Sequence, residues 1–131
     1  MILDADVIIA GEKGIVDLPG WLASRSTETV EIAAITVAEL WHGVERATLS
    51  FRAKREQYLK TIVEALPIVP YTEQTAYEHA RVWAELEASG RMIDYYDLIV
   101  GATALERGSS VATFNTRHFR QIRGLKVVEP R

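Results

Sequence analysis

The chain has 131 residues, of which 48% are hydrophobic and 25% charged, the composition of an ordinary globular domain with one sizeable core. It has no cysteine, so disulfides, thiolate metal sites and a cysteine nucleophile are excluded, and a reducing cytoplasmic location is expected. The net charge of −3 argues against a protein that coats nucleic acid by charge alone.

Nothing along the chain indicates a membrane segment or a second domain. The apolar stretches are strand-sized, and Asp4 and Asp6 interrupt the N-terminus where a signal peptide would need a basic segment. No linker, repeat or low-complexity tract appears. We therefore expect one domain over residues 1–131 and no membrane partner.

Short apolar runs alternate with helical patterns in the first half of the chain. Strands are expected over residues 1–4 and 30–35, with helices near Val7 and near Asp17. Residues 36–39 read as a capping box, which predicts a helix to about residue 47. The next helix is expected to be capped by Ser50 and to bury four apolar residues on one face. Those four residues are Phe51, Tyr58, Ile62 and Leu66.

The second half continues the alternation. Residues 66–70 predict a short strand, and Thr72 is expected to cap a helix that Gly90 ends. Asp94 is expected to cap a very apolar, central helix that ends at Gly108. The remaining expected elements are strands at 110–113 and 125–128 and a short helix capped by Asn115. Strands that alternate with helices indicate an α/β domain with a mostly parallel sheet.

Three carboxylates, Asp4, Glu39 and Asp97, follow apolar runs where the chain is expected to turn into a helix. Asn115 follows another such run. Strand ends and helix starts gather at one edge of an open parallel sheet, so these four residues can converge in one crevice. Clustered carboxylates repel one another unless a hard cation with oxygen ligands lies between them. The pattern predicts a metal-dependent hydrolase, with Mg²⁺ or Mn²⁺ favoured over Zn²⁺ because the ligands are oxygens.

Helix capping is a simpler explanation for some of these acids. Asp4 or Asp6 can cap the first helix, although one cap is enough. Glu39 in a capping box and Asp94 as a cap would both stabilise a helix without any catalytic role. Capping alone does not explain why the pattern recurs at successive strand-to-helix junctions.

Other side chains leave their roles open. His118 follows Asn115 by three residues and is a candidate general base, although a capping or surface position explains it more simply. Residues 107–131 hold six basic side chains and one acid. A basic flank beside an acidic pocket suits a phosphate-bearing substrate, and a solvated basic face is the simpler alternative.

Four blocks, in order and spacing along the chain, resemble those of PIN-domain proteins, specifically VapC-type toxin ribonucleases. The blocks are Ile2-Leu3-Asp4-Ala5-Asp6-Val7-Ile8-Ile9, Thr36-Val37-Ala38-Glu39-Leu40 with Gly43, Tyr96-Asp97-Leu98-Ile99-Val100-Gly101-Ala102-Thr103-Ala104 preceded by Gly90 and Ile93, and Val111-Ala112-Thr113-Phe114-Asn115-Thr116-Arg117-His118-Phe119. The resemblance implies a PIN-like three-layer α/β domain, with a mostly parallel central sheet flanked by helices. It also implies a Mg²⁺-dependent endoribonuclease, with Mn²⁺ as an alternative, that leaves 5′-phosphate and 3′-hydroxyl ends.

The resemblance further assigns residues and partners. It implies that Asp4, Glu39 and Asp97 ligate the metal, with Asn115 at the fourth catalytic position. Asp6, Asp94 and Thr113 are candidate supporting residues. Asp6 stands where Ser, Thr or Asn is common and Asn115 where many relatives have Asp, so one or two metal ions stay open. A homodimer, or a larger toxin–antitoxin assembly with a VapB-type antitoxin, is implied, and the candidate walls of the antitoxin groove lie around Trp41, Tyr58 and Trp83.

Two other classes stay open. A PIN fold kept as a catalytically silent binding or regulatory module would show no carboxylate-dependent metal binding. The strand followed by residues 4–7 also resembles the opening of a haloacid-dehalogenase-type phosphatase. That chemistry needs a downstream lysine, and no lysine lies at a strand-to-helix junction.

Overall fold

The computed structural model describes residues 1–131 as seven helices and five short strands. In chain order these are β1 (Ile2–Leu3), α1 (Ala5–Glu12), α2 (Leu18–Ala23), β2 (Ile32–Ala33), α3 (Ala34–Arg46), α4 (Leu49–Ala65), β3 (Ile68–Val69), α5 (Glu73–Ala88), α6 (Tyr95–Glu106), β4 (Val111–Ala112), α7 (Thr116–Phe119) and β5 (Val127–Val128). None of the helices combines the length and the apolar character that crossing a membrane requires.

All strand pairs are parallel, which confirms the predicted α/β class. β1 pairs with β4, β4 pairs with β5, and β2 pairs with β3. A bridge between Ile2 and Glu31 links the two groups. The strand order is therefore β3-β2-β1-β4-β5, with β1 in the middle.

Two hydrophobic clusters lie on opposite faces of the sheet, because successive residues of a strand point to opposite sides. Leu3 and Ala112 belong to the cluster that includes buried residues of α1, α2, α3 and α4. Their strand neighbours Ile2 and Val111 belong to the cluster of α5, α6 and α7. The domain therefore has helix, sheet and helix layers, and β1 is covered on both sides.

α6 is the most deeply buried helix, as predicted. Every residue over 98–104 is buried. Asp94 caps the helix by accepting hydrogen bonds from two backbone N–H groups of the first turn. Gly108 follows its end with a φ of +63°, a conformation that costs glycine little. α5 also confirms its prediction, since Thr72 and Thr75 form a capping box at its start.

α3 begins earlier than the sequence predicts. Its N-cap is Ala33, which makes no side-chain cap hydrogen bond, so the predicted strand to residue 35 was too long. The predicted capping box at Thr36 and Glu39 was wrong for the same reason, because both residues lie inside the helix. Two consecutive alanines favour the helix directly after β2. Capping therefore no longer explains Glu39.

The start of α4 also differs from its prediction. Its N-cap is Thr48 and not Ser50. Phe51 is 65% exposed, whereas Tyr58 packs on the core beside the buried Leu59. Periodicity identifies the correct face of the helix, but it does not reveal where along the helix the neighbouring layer ends.

Candidate active site

The ends of β1 and β4 bring Asp4 and Thr113 together. Leu3 is in register with Ala112, so the residues that follow them are neighbours at the same edge of the sheet. Thr113 Oγ1 donates to Asp4 Oδ2 at 2.8 Å. Both residues are buried, so this hydrogen bond is shielded from water.

Asp4 is a buried carboxylate that accepts two hydrogen bonds, one from Thr113 and one from the backbone. Its Oδ1 accepts from the backbone N–H of Ala5 at 2.8 Å, which is its capping role on α1. Burial raises the pKa of Asp4 to about 7, and repulsion from Asp6 and Asp97 adds to that rise. The hydrogen bonds from Thr113 and Ala5 oppose it without cancelling it.

Asp6 lies in the first turn of α1 and faces the same edge. Its Oδ2 accepts from the backbone N–H of Phe114 at 3.0 Å. Thr113 Oγ1 lies 3.3 Å from that oxygen, farther than the 2.8 Å to Asp4 Oδ2, and a hydroxyl has only one hydrogen to donate. Burial raises the pKa of Asp6. Asp4 and Asp6 therefore both lie within hydrogen-bond distance of the Thr113 hydroxyl. Since Asp4 alone caps α1, capping does not explain the second carboxylate.

Asp97 lies in the first turn of α6, and its side chain is only 13% exposed. Its Oδ2 accepts from Asn115 Nδ2 at 2.7 Å and lies 3.1 Å from His118 Nδ1. Burial raises the pKa of Asp97, and the hydrogen bond with His118 opposes that rise. Asn115 was predicted to cap α7, but its side chain makes no cap hydrogen bond and bonds Asp97 instead.

Glu39 approaches the acidic edge from α3. Its Oε1 is buried without a hydrogen-bond partner. Burial raises the pKa of Glu39 to about 7, and repulsion from Asp97, Asp94 and Asp6 contributes. Glu39 therefore lies within electrostatic reach of carboxylates from two other elements.

The structure thus gathers Asp4, Asp6, Glu39, Asp94 and Asp97 into one electrostatic neighbourhood, with Asn115 and Thr113 bonded to its members. It contains no group of three or more acidic or imidazole side chains already arranged to hold a metal ion. The donors are nevertheless hard oxygens, and one of them, Glu39 Oε1, is buried and unpartnered. This chemistry fits a divalent cation with oxygen ligands.

His118 is the site residue that sequence reasoning did not place in the site. A surface or capping role was the simpler expectation, and its side chain is indeed 37% exposed. It nevertheless contacts Asp97, because residues three apart on a helix share a face and Asn115 precedes it by three. That spacing was the only signal in the sequence.

A groove of about 190 Å³ leads away from Glu39. It runs between α1, α3 and α4, and its lining residues are Ile9, Glu12, Lys13, Glu39, Leu40, Gly43, Arg55 and Leu59. Trp41 and Tyr58 pack on the core cluster of this side. Trp83, predicted with them, lies on α5 and stacks on His79.

Known proteins match the chain over nearly its whole length. The sequence model of the PIN domain matches residues 1–125. The chain is 30% identical over 129 residues to Ribonuclease VapC1 of Rickettsia felis, covering 98% of this chain and 94% of that protein. It is 30% identical over 138 residues to VapC ribonuclease Y4jK of Sinorhizobium fredii, covering 99% and 96%. Among solved structures it is similar to DNA-bound VapBC from Salmonella typhimurium, with a TM-score of 0.89, 25% identity and coverage of 98% and 96%.

Proposed function

The chain belongs to the PIN-domain family, and we propose that it is a VapC-type toxin, an endoribonuclease that hydrolyses RNA and is neutralised by a VapB-type antitoxin. One observation carries the proposal most. Asp4, Glu39 and Asp97 come from three different parts of the fold, and Asp97 is close enough to repel both Asp4 and Glu39 at the edge where the central parallel strands end. Because RNA is the substrate, the expected place of action is the cytoplasm.

Asp4, Glu39 and Asp97 are the residues that would hold Mg²⁺, with Mn²⁺ as an alternative. Their raised pKa values reflect burial and mutual repulsion, both of which a divalent cation would offset. When bound, the cation supplies charge that stabilises the attacked phosphate and makes water more acidic. Haloacid-dehalogenase chemistry gains no support, since all four lysines are exposed.

The remaining polar residues support these three. Thr113 holds Asp4, Asn115 holds Asp97, and Asp94 caps the helix that carries Asp97. Asp6 adds negative charge next to Asp4. A carboxylate of this cluster would accept the proton of the attacking water.

The exposed basic residues after the site are suited to the RNA backbone. Arg117, Arg120, Arg123 and Lys126 are exposed, and none makes an ion pair, unlike Arg81, which pairs with two glutamates. Arg117 and Arg120 lie on α7 and at its C-cap, close in sequence to Asn115. Unpaired basic side chains are free to bind phosphates.

The groove beside Glu39 is the proposed position of the antitoxin. It contains Glu39 itself, so a peptide segment that fills it reaches the acidic edge without crossing the domain. A basic side chain from that segment would place positive charge among the carboxylates and so compete with the metal ion. This arrangement explains how a partner can silence the enzyme.

A homodimer is proposed through the aromatic face of α5 and α6. Tyr71, Trp83 and Tyr95 surround His79 with ring centroids 5.8–5.9 Å away, although each of the three is more than 40% exposed. Exposed aromatic clusters of this kind mark protein interfaces. Trp83→Glu should convert the dimer to a monomer in light scattering, whereas Phe51→Glu, at an exposed aromatic residue of α4, should not.

Cleavage of RNA tests the proposed activity. The purified protein should cut RNA when Mg²⁺ is present, and cleavage should stop when the metal is chelated. In cells that express the protein, mapping of RNA 5′ ends should show defined cleavage positions. Asp97→Asn, purified in parallel, should lose cleavage and stay folded. Full activity in that variant, with contaminating nucleases controlled, would reject the assignment. A silent PIN module would instead show no carboxylate-dependent Mg²⁺ binding by calorimetry.

A further inference from the structure

His118 and Asn115 converge on a single oxygen of Asp97. Asn115 Nδ2 lies 2.7 Å and His118 Nδ1 lies 3.1 Å from Asp97 Oδ2, and the two nitrogens are 2.9 Å apart. An ionised carboxylate only accepts hydrogen bonds, so the contact with Asp97 is favourable when the hydrogen of His118 is on Nδ1. Asn115 Nδ2 and His118 Nδ1 are then two donors to the same oxygen, and the contact between them is not a hydrogen bond. Both side-chain bonds to Asp97 therefore use Oδ2, and Oδ1 is left for another partner.

The backbone that carries His118 is firmly anchored. The next residue, Phe119, is completely buried in the core cluster of α5 and α6, and Ile122 is buried beside it. Asn115 is the N-cap of the same short helix, so both donors are fixed to one element. The helix that carries Asp97 is also fixed in the core, because α6 is buried over residues 98–104. The donors and the acceptor are thus carried by backbone whose neighbouring residues are buried in the same core.

We propose that His118 is a positioning residue, which holds Asp97 through its Nδ1–H so that the free carboxylate oxygen can bind the metal ion. The inference rests on the proposed function, since it assumes that Asp97 is a ligand. Hydrogen-bonded partners of metal ligands commonly contribute about 10- to 100-fold to metal affinity. Asn115 alone can also contact Oδ2, but one donor does not restrain the rotation of a carboxylate as two do.

Two isosteric substitutions separate this role from a general need for histidine. In His118→Asn the amide nitrogen takes the position of Nδ1, whereas in His118→Gln it takes the position of Nε2. His118→Ala removes both. The control is His42→Ala, because His42 is exposed on α3 and outside the site.

The measurements are Mg²⁺ binding by calorimetry without RNA, thermal melting, and kcat and KM for one oligoribonucleotide. His118→Ala and His118→Gln should weaken Mg²⁺ binding by about 10- to 100-fold, and His118→Asn should restore most of it. Higher Mg²⁺ should recover kcat in the alanine variant while KM for RNA stays unchanged. The control should behave as the wild type, and all variants should melt as folded proteins.

Unchanged Mg²⁺ affinity in His118→Ala would overturn the inference, as would an asparagine variant no better than the glutamine variant. If wild-type Mg²⁺ binding does not depend on Asp97, the proposed function fails instead. Asp97→Asn in the same titration distinguishes these two failures. If the alanine variant unfolds, the comparison of asparagine with glutamine still decides the question, because both keep a polar side chain.

Discussion

Thr113 and Asp4 are 109 positions apart in the chain, yet their side chains share a buried hydrogen bond of 2.8 Å between Oγ1 and Oδ2. This bond connects the ends of two neighbouring strands. It is also the only hydrogen bond that Asp4 accepts from another side chain. The stability of the domain and the position of a proposed metal ligand therefore depend on the same hydroxyl group.

Thr113→Val should destabilise the protein by about 1–3 kcal/mol, because it leaves a buried acceptor without its donor. It should also weaken Mg²⁺ binding, whereas Thr113→Ser should preserve both properties. Urea unfolding and calorimetry measure the two effects. Thr103→Val is the matched control, since that buried hydroxyl bonds only the backbone of its own helix. Equal Mg²⁺ affinity in both valine variants would contradict the prediction.

Stability without metal should decrease as the pH rises toward neutrality and beyond. Asp4 and Glu39 have pKa values raised by burial to about 7, from ordinary values near 4. A raised carboxyl pKa means that the folded state binds more protons than the unfolded state, so this stabilisation is complete below about pH 4 and is lost through pH 7.

Thermal melting of metal-free protein between pH 5 and pH 8 tests whether stability falls as the pH rises. The melting temperature should be lower at pH 8, and Glu39→Gln should reduce the difference because it removes one titrating group. Saturating Mg²⁺ should restore stability at pH 8, by about 2.7 kcal/mol when its concentration is 100 times the Kd. A variant with the same pH dependence as the wild type would exclude Glu39 as a source.

Arg117→Gln combined with Arg120→Gln should weaken RNA binding and reduce its dependence on salt. Removing one side chain that binds a phosphate makes the slope of log K against log salt shallower by roughly 0.7 for a single strand. Filter binding at several salt concentrations measures this slope. Lys54→Gln is the control, because Lys54 is exposed and makes no ion pair but lies on α4. An equally weakened control would show that net charge alone is responsible.

Gly101→Ala should destabilise the domain by about 1–3 kcal/mol through overpacking. A Cβ at Gly101 would overlap Ile122 Cδ1, and Ile122 is itself buried. The double variant with Ile122→Val, which removes that methyl group, should regain part of the stability. Denaturant unfolding measures both, and an alanine variant as stable as the wild type would contradict the close contact.

The sequence predicts those parts of the fold that depend on local chemistry. Asp94 and Gly108 bound α6 as expected, because a cap and a positive φ are properties of single residues. The start of α3 was harder to predict, since Ile35 fits a strand by its branched side chain whereas the two alanines before it favour a helix. For the site, the topology of a parallel sheet predicted that the polar residues after its strands lie together, and Thr113 after β4 does contact Asp4 after β1. Asp97 was expected at a strand-to-helix junction, but α6 follows α5 with no strand between them, so its contact with Asn115 comes from helix packing. The spacing of His118 from Asn115 indicates only that the two share a helix face; the contact of His118 with Asp97 also depends on how α7 packs against α6.

The two strand groups of the sheet carry different parts of the site. Asp4 and Thr113 follow strands of one group, whereas Glu39 follows β2 of the other. The backbone hydrogen bonds between β1 and the β2 side are those of Glu31 with Met1 and Leu3. Glu39 and Asp4 are thus on opposite sides of the contact between β1 and β2, which has a single bridge where the other strand pairs have two register pairs each. Transient opening of the hydrogen bonds between β1 and Glu31 would change the distance between these proposed metal ligands. Amide hydrogen exchange at Leu3 and Glu31 would report how often these bonds open.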